Sequence, residues 1–247
     1  MSKKIITLHL AASLVSTAFA SCGEKTDDNA DTTVADETTA EVVEEINIKE
    51  LAAAVTGEFG DLYDPANEMG MPLAEYYANF AADEYSLTIP GFENPEEDLG
   101  TPASEYIASE MNNLYGIETA WVEEFLSVKA ASMTNIDTLL VVKPSEGNME
   151  NVVNALNSYN DYLKNDSFQY PINLPKIRAA KVVEQGDYAF FVMLGSIPDE
   201  LIYVEIDYEN LTEDEIAAKQ AEIDAAMDEY AAGNTQKAID AITNFLG

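Results

Sequence analysis

Seven consecutive apolar residues at 188–194, Tyr-Ala-Phe-Phe-Val-Met-Leu, constrain this chain more than any other feature. A strand with one wet face alternates, so a continuous run reads as a strand buried on both faces or nearly so. Residues 180–184 precede it across Gln185-Gly186-Asp187, where glycine allows a positive φ, and the two segments predict a hairpin. Upstream, 125–131 and 138–142 read as two more short strands around a Met133-Thr134-Asn135 turn. Between the pairs, Val152, Leu156, Tyr159 and Leu163 recur at helical spacing and predict a helix over 148–164. Helix, two strands, helix, hairpin is the order of an α+β domain: a small, mainly antiparallel sheet from 125–142 and 180–194, packed by helices.

Other helices are legible from their caps. Asn47 is a good N-cap with Glu50 three residues on, and Ile48, Leu51, Ala52 and Val55 share a face before Gly57. Residues 58–101 are punctuated by Gly and Pro, with a short Tyr-rich helix predicted over 73–82 and a loop over 91–100. Thr101-Pro102 opens a helix with the stripe Ile107, Met111 and Leu114, capped by Gly116, and 121–125 reads as a further short helical turn. Near the C-terminus, Thr212 and Glu215 form a capping box, with Leu211 and Ile216 as the hydrophobic staple. Ile216, Ile223, Met227 and Tyr230 make one stripe. Gly233-Asn234 then reads as a break before a second helix bearing Ala238, Ile239, Ile242 and Phe245. The expected ending is a C-terminal helical hairpin packed on the domain. A single pair of this kind cannot form a solenoid, which needs about three repeats.

The first 22 residues carry an address. Lys3 and Lys4 precede a mostly apolar stretch over 5–15 and the small-residue segment 16–21, which together read as a secretory signal peptide too short to span a bilayer. Phe19-Ala20-Ser21-Cys22 resembles a bacterial lipobox, making Cys22 the diacylated mature N-terminus. Alternatively, Ala18-Phe19-Ala20 is an ordinary cleavage site and the cut falls before Ser21. The chain's single cysteine stands where a lipobox requires one, which favours the first reading. Residues 23–47 hold nine acids and only Lys25, and such a stretch self-repels and extends. The expected organisation is therefore a signal peptide over 1–21, an acidic tether over 22–47, the α+β domain over 48–198 and a helical extension over 199–247. The expected location is extracytoplasmic, at the cell membrane through a lipid on Cys22.

Charge and residue inventory then limit the chemistry. The chain has 46 acidic and 12 basic residues, a formal charge of −34. Nucleic acid and anionic lipid surfaces would repel it. Removal of the signal takes away Lys3, Lys4 and His9, leaving a mature chain with a charge of −36 and no histidine. Ser-His-Asp and Cys-His catalysis then lack their base, and no phosphate-loop, nucleotide-binding or nucleophile-elbow motif occurs. Paired carboxylates remain, as glycosidases use, but 46 acids provide pairs by chance and none stands out. Asp27, Asn29 and Asp31 lack the glycine and bidentate glutamate of a calcium loop, so no metal or cofactor is expected. Arg178, the only arginine, either clamps a ligand carboxylate or, the preferred reading, joins a local acid. Tyr76, Tyr77 and Tyr85 either form a sugar-stacking platform or, again preferred, pack.

The segment Met111-Asn112-Asn113-Leu114-Tyr115-Gly116-Ile117 resembles the L-Y-G-I-D stretch of a bacterial lipoprotein family known as domain of unknown function 4358. The similarity continues through Val122-Glu123-Glu124-Phe125, the Ala131-Ser132-Met133-Thr134-Asn135-Ile136-Asp137 segment, the helix 148–164 and the strand ending at Val192. The resemblance implies a short lipoprotein and assigns no activity, so no site residue is carried over from it. Residues 58–101 and the tail after 199 depart from the compact family pattern. The expected function is a membrane-tethered binding or assembly module with a protein or glycan partner in the cell envelope. The alternative is a carboxylate-dependent hydrolase acting on envelope glycans.

Overall fold

A computed structural model describes residues 46–63, 73–74, 76–130 and 135–247. In chain order the elements are α1 (Ile48–Gly57), β1 (Ala78–Ala81), β2 (Glu84–Leu87), α2 (Pro95–Leu99), α3 (Ala103–Ser109), β3 (Val122–Lys129), β4 (Thr138–Pro144), α4 (Met149–Asn165), α5 (Leu174–Ala179), β5 (Lys181–Gln185), β6 (Tyr188–Met193), α6 (Asp199–Ile202) and α7 (Glu213–Leu246). The strands form one sheet in the order β2-β1-β3-β4-β6-β5, antiparallel throughout.

The apolar run at 188–194 sits in β6, next to the centre of that sheet, and alternates between two cores. Ala189, Phe191 and Met193 join Phe125, Leu140 and Val142 beneath α3, the turn that follows it and α4, which contribute Ile107, Met111, Val152 and Leu156. Tyr188, Phe190, Val192 and Leu194 join Leu126, Val128, Leu139 and Val141 on the opposite face, where Ile48, Leu51 and Val55 of α1 and Ala238 and Ile242 of α7 close the layer. Both faces are dry, so alternation with polar residues has no use here. Each large side chain buried this way contributes about 1.5–3 kcal/mol.

Several expectations need correction. The Tyr-rich helix over 73–82 is instead a bridge from Leu73 to Ala130 followed by the strand β1, which lies along β3. Its aromatic residues suit either period, and the open edge of β3 supplies the backbone partners that decide it. Ala82 and Asp83, both at positive φ (48° and 64°), turn the chain into β2. The loop over 91–100 contains the short helix α2, and the helical turn expected over 121–125 is confined to Thr119–Trp121 before β3 begins. Methionine and threonine of the 133–135 turn lie outside the described residues.

The expected C-terminal hairpin is one helix of 34 residues. Gly233 costs about 1 kcal/mol inside a helix. Ala231, Thr235, Ala238 and Ile242 form a continuous buried stripe across it, and that burial outweighs the cost. Asn234 is engaged rather than capping, since its side chain covers the Cα of Gly195, where φ is +98° and a methyl group would overlap it.

Candidate functional site

The buried carboxylates among the described residues are Glu110 and Asp137, and each is matched to a lysine. Glu110 begins a π turn (Glu110–Leu114) that follows directly on α3. Glu110 and Met111 share the inward face of Ile107, three and four residues before them, and the wider turn that follows shifts the helical phase so that Leu114, expected in the apolar stripe, is exposed. Glu110 Oε1 meets Lys129 Nζ at 2.7 Å and accepts a hydrogen bond from the Tyr115 hydroxyl at 3.1 Å. Glu110 Oε2 has no hydrogen-bond partner among the described residues. The Lys129 ammonium stands 4.8 Å from the centre of the Tyr77 ring and 5.6 Å from that of Tyr115.

Burial and the glutamate's charge act on the nearby phenols. The Tyr115 hydroxyl is held well above the usual tyrosine range by burial first, then by the negative charge of Glu110. Tyr159, edge-on to Tyr115, is pushed up to about 12 by the same two causes in the same order. Tyr106 is raised by burial and by its hydrogen bond to Tyr77, whose hydroxyl lies 2.6 Å away. At neutral pH these groups are neutral phenols. A depression of about 320 Å³ opens beside them, lined by Tyr106, Ser109, Glu110, Asn113, Leu114 and Lys129.

The second pair is more enclosed. Asp137 Oδ1 lies 2.6 Å from Lys176 Nζ, with side chains 0% and 6% exposed. Tyr63 donates its hydroxyl to Asp137 Oδ2 at 2.9 Å and accepts the Gly195 N–H at 2.6 Å. Asn135 Oδ1 accepts from Lys176 Nζ at 2.8 Å and from the Asp137 N–H at 3.2 Å. Burial, then the charge of Asp137, drives the Tyr63 phenol far above its ordinary value. The cluster ties the turn after α1 to the loop before β4, to α5 and to the chain leaving β6. That is a structural clamp.

A larger concavity among the described residues lies elsewhere. Between the turn Pro171–Asn173, α5, α6 and α7 runs a groove of about 590 Å³. Tyr170, Ile172, Leu174, Ile202 and Met227 give it apolar walls. Arg178 stands in it already held by Asp228, through Nε at 2.9 Å and Nη2 at 2.6 Å to the same oxygen. The arginine thus joins a local acid, as its surroundings led one to expect. Tyr170 in its lining is 57% exposed, and Phe168 (99%), near it in the chain, and Tyr203 (75%), next to Ile202 of the lining, are exposed too. Apolar side chains left exposed at a concavity suit a contact surface.

Of the tyrosines singled out from sequence, each has a different partner. Tyr76 donates to the Lys49 carbonyl at 3.0 Å, Tyr77 pairs with Tyr106, and Tyr85 stacks on Phe80 at 4.8 Å. They form no shared platform. Cys22 and the acidic trio Asp27, Asn29 and Asp31 lie outside the described residues. Glu110, Lys129 and the apolar walls of the groove were not foreseen as site residues, whereas Arg178 was. The one available signal for Glu110 was its position one residue before Met111 on an otherwise apolar face.

Residues 96–194 match the family model described as Domain of unknown function (DUF4358). The match runs from α2 to the end of β6 and includes both buried ion pairs. It leaves α1, the β1–β2 hairpin and α7 outside, and α1 and α7 cover the second face of the sheet. No curated protein and no solved structure matches the chain.

Proposed function

We propose that this protein is an extracytoplasmic binding or assembly module, anchored by a lipid on Cys22 and without turnover of its own. The observation that carries the reading is the groove between α5 and α7, whose walls are apolar and whose one guanidinium is already neutralised by Asp228. A glycan hydrolase of the carboxylate type needs two carboxyl groups facing one cleft about 5–10 Å apart, one of them held protonated. The buried carboxylates among the described residues are instead each matched to an ammonium, an arrangement that favours ion pairing over proton transfer. The signal segment and the position of the single cysteine support the anchor. Two acyl chains hold a protein at a bilayer stably, so the acidic tether need contribute nothing.

The reading is tested in the source cell. A photo-crosslinking residue at Ile172 is expected to give a discrete adduct that is lost when Met227→Asp is also present. The same residue at exposed Asn154 on α4 is expected to give none. The anchor is tested with Cys22→Ser, which should abolish metabolic labelling by a palmitate analogue and release the folded protein from the membrane fraction. Cleavage of purified envelope glycan by the protein, abolished by a single carboxylate substitution, would overturn the reading in favour of a hydrolase.

A further inference from the structure

The chemistry of the groove's occupant can be read from its rim. Residues 199–230, which form α6, the following loop and the first half of α7, contain twelve acids and one base, Lys219. Arg178 adds no free positive charge, because Asp228 accepts from both its Nε and its Nη2. In the wall, Asp224 is held by Gln220, whose amide donates to Oδ1 at 3.0 Å. On the other side of α6, a second depression of about 280 Å³ lies along the same helix, with Leu201, Val204 and Ile223 in its lining. Asp224 lines the groove and Glu222 the second depression, so acids of α7 accompany both apolar floors within a strongly acidic segment. The exposed rings of Phe168, Tyr170 and Tyr203 add faces that attract cations.

We infer that the groove between α5 and α7 receives a cationic segment of another protein, with an aliphatic or aromatic side chain seated between Ile172 and Met227 and lysines or arginines meeting the acids of residues 199–230. The inference rests on the binding reading above and names the partner's chemistry. Charge complementarity selects this occupant. A second copy of the chain brings the same acids to a symmetric contact and repels. An anionic bilayer repels for the same reason. A neutral glycan stacks on tyrosine but leaves the acidic rim without a role. A basic segment uses both features: the anchor supplies affinity on burial, and the flanking charges supply rate and selectivity.

The test uses the full mature chain carrying Cys22→Ser and three synthetic peptides of equal length. One is an amphipathic Lys/Leu helix, one its Glu/Leu counterpart, and one a Lys/Ser control. At physiological salt the Lys/Leu peptide should saturate at one per chain and bind at least about tenfold more tightly than either control. The double substitution Ile172→Ser/Met227→Ser should cost about tenfold in affinity. Both positions are only partly buried, so the fold should survive. Asp224→Asn should weaken binding less and reduce its salt dependence. Equal binding of the Lys/Ser peptide, indifferent to the groove substitutions, would reduce the effect to diffuse charge and overturn the inference. Tighter binding of the Glu/Leu peptide, of soluble envelope saccharides or of a second copy, blocked by the same substitutions, would overturn it while leaving a binding module. Binding of none of these probes overturns it as well. Glycan cleavage by the same preparation would overturn the binding reading itself.

Discussion

Glu110 and Lys129 meet at 2.7 Å, the glutamate side chain 4% exposed and the lysine side chain 23% exposed. That asymmetry sets the energetics of the pair. Removing the lysine strands a buried carboxylate, whereas neutralising the glutamate leaves an ammonium that still faces two tyrosine rings and some water.

Lys129→Met should therefore destabilise the protein by about 3–5 kcal/mol, and Glu110→Gln by only about 1–2 kcal/mol. The double substitution should be less costly than Lys129→Met alone, because no unpaired charge remains. Urea denaturation of the three variants measures this. A Lys129→Met variant no less stable than Glu110→Gln would show that the carboxylate is not held in a dry site.

The Asp137 cluster yields a second expectation. Tyr63 serves two buried groups with one hydroxyl, donating to Asp137 Oδ2 and accepting from the Gly195 N–H. Tyr63→Phe keeps the ring and removes both bonds, so it should cost about 2–4 kcal/mol, more than a single hydrogen bond contributes. Hydrogen exchange at the Gly195 amide should accelerate beyond what the global loss of stability explains. An unchanged rate would mean that another acceptor serves that amide.

Alkaline pH should weaken the fold. Tyr159 is neutral in both states below its ordinary value of 10.0, and its folded value is about 12. Between those two pH values the unfolded chain ionises and the folded chain does not, so stability falls as pH rises across that window. Tyr115, raised in the same direction by burial and by Glu110, adds to the loss. Denaturation midpoints followed through the window should fall less steeply in Tyr159→Phe than in the parent chain. Tyrosinate absorbance should show some phenols ionising only with unfolding. A slope unchanged by the substitution would place Tyr159 in contact with water.

The parts of this structure that were legible in the sequence are those decided locally. The 188–194 run, the helix 148–164 and the capping box at Thr212 and Glu215 are set by neighbours within a few residues, and each is where its pattern put it. The strand β1 was not legible, because the partner that ties it into the sheet is β3, more than forty residues on, and its aromatic pattern fits two periods. The pairing of Asp137 with Lys176 joins residues 39 apart, and among 46 acids nothing local marks the one that is buried. Glu110 was hidden for a different reason: it lies at i+3 on the face of Ile107 and Met111, where an acid ordinarily reads as the wet edge of a helix. The π turn shifts only the residues after it, which is why Leu114, counted inside at 3.6 residues per turn, is exposed.

Gly233 separates the two readings of the C-terminus most sharply. A glycine that ends a helix sits in the left-handed region, where alanine is strained and destabilises. A glycine inside a helix costs backbone entropy, and alanine recovers it. Gly233 lies within α7 without a positive φ, and a methyl group added there meets no atom within 4 Å. Gly233→Ala should therefore stabilise the protein by about 0.5–1 kcal/mol, read as a raised denaturation midpoint. The contrast is Gly195→Ala, where φ is +98° and Asn234 fills the space a methyl group would need, so the same exchange should be strongly destabilising. Gly195→Ala combined with Asn234→Ala should recover the steric part of that loss and leave the backbone strain. If Gly233→Ala instead lowers the midpoint, α7 is two helices joined by a turn. The first half of α7 would then lose the rigid connection that holds Met227 and Asp228 against α5.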